Sequence, residues 1–143
     1  EGIFKGETIN TPSMLAVEDY LLALDWARSL GGLSGLIARA NANAGAIEDF
    51  VKSRDWIDFL AENPAIRSNT SVCLKFTDPR ISDPAGFAKA VAKRLDAADA
   101  AYDIGAYRDA PAGLRIWCGA TVDTADIQAL GPWLDWAYAQ ANA

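Results

Sequence analysis

Histidine is absent from this chain of 143 residues. That removes Ser-His and Cys-His nucleophilic pairs and most zinc sites. Cysteine is scarce. Cys73 and Cys118 are too few for a disulfide framework. Both are expected to be reduced thiols on strands, which points to a reducing compartment and a cytoplasmic protein. No apolar run approaches the roughly 20 residues that cross a bilayer. Positive charge is in deficit, with 13 Lys and Arg against 19 Asp and Glu, a net charge of -6. That balance speaks against nucleic-acid and membrane-surface partners, both of which want a basic face. It leaves room for a small anionic ligand, which needs only local arginines. No Walker-type phosphate loop and no dinucleotide fingerprint is present. The lysines Lys5, Lys52, Lys75, Lys89 and Lys93 carry no local signature of a Schiff-base lysine. The chain starts at Glu1 without an initiator methionine, so it is expected to be a portion of a longer protein.

What is there is a domain's length of foldable chain, 51% hydrophobic. A chain of this size buries roughly two-thirds of the surface it exposes when unfolded. Residues 1–10 read as a loop or extended arm. From Pro12, apolar Leu15, Leu22, Trp26 and Leu30 recur at helical spacing, with Thr11 as the expected N-cap and Gly31-Gly32 as the stop. A second helix is predicted over residues 33–53, with Leu36, Ile37, Ala40, Ala44, Ile47 and Phe50 inward. Gly45 among its alanines suggests close packing on a neighbour. "WIDFLA" reads as a brief strand or a turn of helix, and residues 71–76 as a strand. A helix is predicted from residues 82–84 to about 100, with Phe87, Val91 and Leu95 as its core stripe. "YDIG" reads as a short strand, "AYRDAPAG" as a loop and "LRIWC" as a strand. A last helix, capped by Asp123 or Thr124, sets Ile127, Leu130, Leu134 and Tyr138 on one face. The order predicts an α+β fold: a small antiparallel or mixed sheet with helices packed on one face.

Candidate chemistry centres on arginine. In "GLRIWCG", alternation places Leu114, Ile116 and Cys118 on one face and Arg115 and Trp117 on the other. Arg115 is either a half-buried arginine paired with a nearby carboxylate or a guanidinium aimed at a ligand carboxylate, which its flat fork grips through two parallel hydrogen bonds. Arg108, seven residues earlier, is either a solvated loop residue or the second cation for a doubly anionic ligand. Arg67 fits a surface or interface salt bridge better than a site. Trp26, Trp133 and Trp136 fit helix faces as core or interface, whereas Trp117 is placed to see a cleft. From the residues alone the chain is an anion-binding α+β domain without catalytic apparatus.

The blocks "FKGETINTPSMLAVEDYLLALDWARSLGGL", "RSNTSVCLKF" and "YDIGAYRDAPAGLRIWCGATV" together resemble the phosphoserine aminotransferase family, in its alphaproteobacterial form. The likeness runs over essentially the whole chain. It implies the small C-terminal α+β domain of a fold-type I aminotransferase: residues 1–10 as an arm from the large domain, 11–53 as linking helices and 54–143 as the small domain, one structural unit overall. It also implies pyridoxal 5'-phosphate as cofactor and a homodimer. The implied reaction converts 3-phosphohydroxypyruvate and glutamate to phosphoserine and 2-oxoglutarate in serine biosynthesis. The partners implied are the large domain, the second subunit and the phosphoserine and glutamate substrates.

Carried over by motif, Asn10 and Thr11 of "NTP" correspond to residues that reach the cofactor phosphate of the other subunit. Arg115 corresponds to the arginine that holds the substrate α-carboxylate, and Arg108 to the loop arginine that helps hold the substrate phosphate. Related enzymes often carry histidine before that loop arginine; here it is Tyr107. The Schiff-base lysine, the stacking aromatic and the aspartate on the pyridine nitrogen belong to the large domain. None matches a residue here, so no catalytic residue is assigned and the chain alone is expected to be inactive. Two other readings stand beside this one: a stand-alone small-anion-binding module, and an interaction domain whose tryptophans form an interface.

Overall fold

The computed structural model describes residues 2–142; Glu1 and Ala143, the ends of the expected arm and small domain, lie outside them. Packing divides the chain into two compact units, residues 1–36 and 37–143. The first contains a 3-10 turn at Gly2–Lys5, within the segment expected to be a loop or extended arm, and helix α1 (Met14–Ser29). Thr11 does not cap α1. Ser13 does, accepting a hydrogen bond from the Ala16 amide, and Pro12 falls outside the helix. The glycine stop is where the sequence put it. Gly31 and Gly32 stand at φ 92° and 65°, a left-handed region that costs residues with a Cβ. At Gly35 an added Cβ would lie 1.7 Å from the Leu30 carbonyl oxygen, so only glycine permits the next helix to start so close to the end of α1. None of the α1 residues is buried, and Leu15 and Leu22 of its expected apolar stripe are exposed.

Helix α2 (Gly32–Lys52) carries the chain into the second unit. There, β1 (Ile57–Phe59), β2 (Ser71–Phe76) and β3 (Leu114–Trp117) form an antiparallel sheet in the order β1-β2-β3. Helix α3 (Pro84–Ala97) lies between β2 and β3 in sequence, and α4 (Thr124–Ala141) follows β3. The ambiguous "WIDFLA" segment thus supplies a strand, whereas "YDIG" does not. Its Gly105 makes an isolated bridge, to Leu114. Alternation holds on all three strands. Ile57, Phe59, Val72, Leu74, Leu114 and Ile116 are buried and cluster with Ile47, Val51, Val91, Leu95, Ile127 and Leu134 from α2, α3 and α4. The helices therefore cover one face of the sheet. The other face carries Asp58 opposite Lys75 and Cys73 opposite Arg115.

Two departures from the sequence reading bear on the site. The buried stripe of α2 is Ala40, Asn43, Ile47 and Val51, displaced from the all-apolar stripe expected. Asn43 is fully buried. Its Nδ2 donates to the carbonyls of Cys118 (3.1 Å), Gly119 (3.2 Å) and Val122 (2.8 Å), and its Oδ1 accepts from the Thr124 hydroxyl (2.6 Å). Arg39, one turn earlier, donates to the Ala120 carbonyl (2.9 Å) and pairs with Asp123. The Asp123 carboxylate is thereby turned from the capping bond expected of it. The second departure is among the tryptophans: Trp56, to which the sequence assigned no role, is buried and stacks on Tyr138 with ring centroids 4.1 Å apart, while Phe50 meets it edge-on. Trp26, Trp133 and Trp136 remain exposed in this chain. The two thiols are free, with Cys118 buried just past the end of β3.

Gly45 does not make the close approach its setting suggested, since nothing stands within 4 Å of an added Cβ. A mid-helix glycine with open space costs about 0.5–1 kcal/mol relative to alanine. Gly45→Ala should therefore raise the stability of the chain by about that amount in urea denaturation. A destabilised variant would show that the position is more crowded than its geometry.

Candidate functional site

The β3 strand is an edge strand, and the chain on either side of it forms a cleft of about 480 Å³. Its size falls in the range of small-molecule sites. One wall is the segment before Gly105, held to the strand by the Arg115 amide, which donates to the Ile104 carbonyl at 2.8 Å. The opposite wall is the first part of α4, with Asp126, Ile127 and Leu130. Arg115 and Trp117 enter from β3 on the face away from the core, as alternation requires.

Arg115 has a carboxylate partner. Its Nη2 lies 3.0 Å from Oδ2 of Asp103. The arginine side chain is one-third exposed and the aspartate side chain nine-tenths exposed. A pair so open to water is worth about 0–1 kcal/mol, too little to account for an arginine in an apolar strand. Asp103 was not legible in the sequence, because "YDIG" read as a strand. It stands instead in a loop at φ 49°, a left-handed conformation that aspartate and asparagine adopt more readily than other residues with a side chain. Trp117 forms the rim. Its indole N–H donates to the Thr121 hydroxyl at 3.3 Å, and its ring lies across Gly119, where an added Cβ would stand 2.6 Å from Cζ2.

Arg108 opens elsewhere. It lines a separate cleft of about 510 Å³ with Lys89 of α3 and Tyr107, in a loop turned by the Ala110 amide donating to the Tyr107 carbonyl. The two clefts share no lining residue, so Arg108 and Arg115 are not brought together in this chain. Asn10 and Thr11 are exposed in the segment before α1, within the first unit. With Ser13 capping the helix, capping does not explain either residue. Arg67 makes no salt bridge among the described residues. Its guanidinium lies 3.9 Å from the centre of the Phe59 ring and donates to the Ala61 and Glu62 carbonyls, a structural role.

The chain is 56% identical over 138 residues to a phosphoserine aminotransferase of Methanosarcina barkeri, covering 95% of this chain and 35% of that protein. It is homologous to part of phosphoserine aminotransferase. The corresponding enzyme of Methanosarcina mazei is 54% identical over the same length. The chain spans about a third of the length of both relatives. No family model matches. Among solved structures, the phosphoserine aminotransferase from Bacillus circulans subsp. alkalophilus superposes with a TM-score of 0.77 over 92% of this chain and 34% of that one. At 18% identity that likeness shows the fold. The small α+β fold expected from the sequence is thus that of a fragment of phosphoserine aminotransferase.

The seating of Trp117 is testable. In Gly119→Ala the new methyl should push the indole off its seat while the fold persists, because the far end of a side chain yields more easily than backbone. The Trp117 indole N–H resonance, assigned by its loss in Trp117→Phe, should shift. An unmoved resonance would contradict the packing of the rim.

Proposed function

We propose that this chain is the C-terminal portion of a cytoplasmic, homodimeric phosphoserine aminotransferase, with residues 1–10 as an arm, 11–53 as linking helices and 54–143 as the small domain. The observation that carries the reading is Arg115: a one-third-exposed guanidinium in a cleft of ligand size, held by a single weak partner. In the proposed role it binds the α-carboxylate common to glutamate and phosphoserine, through two parallel hydrogen bonds. Arg108, in a Gly- and Pro-containing loop and lining the same cleft as Lys89, suits the phosphate that only one substrate pair carries.

Pyridoxal 5'-phosphate fits this chain in part. Asn10 and Thr11 offer an amide and a hydroxyl near a helix start, a suitable uncharged contact for the cofactor phosphate of the partner subunit. The lysines do not fit a covalent anchor. Lys52 and Lys75 are paired with Glu48 and Glu62, and Lys5, Lys89 and Lys93 are exposed. Desolvation activates an amine as a nucleophile, and none of these lysines is buried. When bound, the cofactor supplies the electron sink for amino-group exchange. The residues of this chain bind and orient the substrate anions, and the covalent anchor belongs to the rest of the protein.

The arginines separate experimentally in the full-length enzyme. Arg115→Ala should damage both half-reactions, with glutamate and with phosphoserine, at least roughly tenfold in kcat/KM. Arg108→Ala should damage the phosphoserine half-reaction and largely spare the glutamate one. Arg115→Lys should restore little, because a point ammonium lacks the two-pronged grip. Equal losses for both donors in Arg108→Ala would remove the phosphate role, and a near-wild-type Arg115→Ala would remove the carboxylate role.

A further inference from the structure

We propose that Asp103 is an internal competitor for Arg115, a carboxylate of the chain that stands where a ligand carboxylate binds and is displaced when the ligand enters. The inference rests on the reading of Arg115 as a carboxylate binder and names the residue that regulates it.

Three features of the pair support a displaceable contact. First, Asp103 and Arg115 line the same cleft, and the Asp103 carboxylate meets the guanidinium from the side of the segment that walls it. Second, the contact uses one oxygen and one nitrogen, at 3.0 Å. A free ligand carboxylate can take two N–H groups of the planar fork at once, a stronger arrangement. Third, Asp103 is nine-tenths exposed, so water solvates its carboxylate as soon as it leaves. The backbone has no need to move. Its hydrogen bond from the Arg115 amide to the Ile104 carbonyl and the bridge between Gly105 and Leu114 hold the wall against β3 while the side chain swings.

The consequence is selectivity. With Asp103 in place, the net charge of the pair is near zero, and a simple anion gains little by approaching. A ligand that presents a bidentate carboxylate, and makes further contacts at its other end, can displace the aspartate where a monovalent ion cannot. Discrimination of this kind uses a repulsive element beside the attractive one.

The test measures glutarate, a dicarboxylate probe, binding to the full-length holoenzyme by calorimetry. The proteins are wild type, Asp103→Asn, Arg115→Ala and the double variant. Asparagine tolerates the left-handed backbone at this position and keeps the side chain's shape. Asp103→Asn should bind glutarate about 1.5- to fivefold more tightly at low salt. The gain should shrink as ionic strength rises, because the competing charge is exposed. It should vanish in the Arg115→Ala background. Asp103→Gly, which also accepts the left-handed conformation, should show the same gain and guards against a folding defect in the first variant. If Arg115→Ala loses glutarate while Asp103→Asn binds it equally or more weakly than wild type, the competitor role is overturned and the carboxylate role of Arg115 stands. If Arg115→Ala binds glutarate as well as wild type, the carboxylate role fails and the competitor role with it.

Discussion

The amide of Asn43 is the contact on which the functional end of the fold depends. An asparagine on the buried stripe of a helix is costly unless its groups are paired, and here both ends of the amide are used. The pairing fixes which atom is which: Nδ2 faces three carbonyl oxygens and Oδ1 faces a hydroxyl, and the reverse orientation would set oxygen against oxygen. Those carbonyls belong to the turn between β3 and α4. One side chain of α2 therefore sets where β3 ends and where α4 begins. Losing it would leave buried carbonyls without their donor, at about 1–3 kcal/mol for each group left unsatisfied. Arg39 reinforces the same turn one helical turn away.

The α4 wall of the Arg115 cleft follows from that turn. β3 is the edge of a three-stranded sheet, and beyond it, among the described residues, lies no further strand but the bonded segment at Ile104 and Gly105. That side is shaped by the 100–104 segment and by the start of α4, and α4 is placed by Asn43 through Thr124. The aromatic stack of Trp56 and Tyr138 holds the other end of α4, where Tyr138 also hydrogen-bonds Asp78. Arg80 and that phenol keep the Asp78 carboxyl well below the usual carboxylate range. With α4 fixed at both ends, Arg115 and Trp117 line a cleft whose walls are set before any ligand arrives, the condition under which the two-pronged grip proposed for Arg115 is worth most.

How much of this could be read from the sequence depends on the length scale of the signal. The alternation in "GLRIWCG" named the faces of β3 correctly, because a period of two is written residue by residue. The strand at Ser71–Phe76 was legible for the same reason, and the helix that follows it from its own stripe of Phe87, Val91 and Leu95 at four-residue spacing. The Thr11 cap was misplaced by two residues: Thr11, Pro12 and Ser13 all suit a helix start, and local propensity does not choose between adjacent capping residues. Asn43 was invisible as a core residue. Its partners lie 75 or more residues away, and "ANANAG" looks like a stripe of small residues. Asp103 was hidden inside a segment that reads as a strand, and its backbone conformation shows only once the loop is built. The opening of Arg108 and Arg115 onto separate clefts is likewise a property of the folded loop and not of the seven-residue spacing.

The central claim is that the Asn43 amide sets the conformation of the β3–α4 turn and through it the cleft around Arg115. Native-state hydrogen exchange measured residue by residue in Asn43→Ala tests it most directly. Exchange of the Cys118 amide, which donates to the Thr70 carbonyl, and of the Val122 amide, which donates to the Gly119 carbonyl, should accelerate strongly. The β1–β2 amides, on the other side of the sheet, should keep most of their protection. Unchanged exchange at Cys118 and Val122, or an equal loss of protection across the whole sheet, would contradict the account.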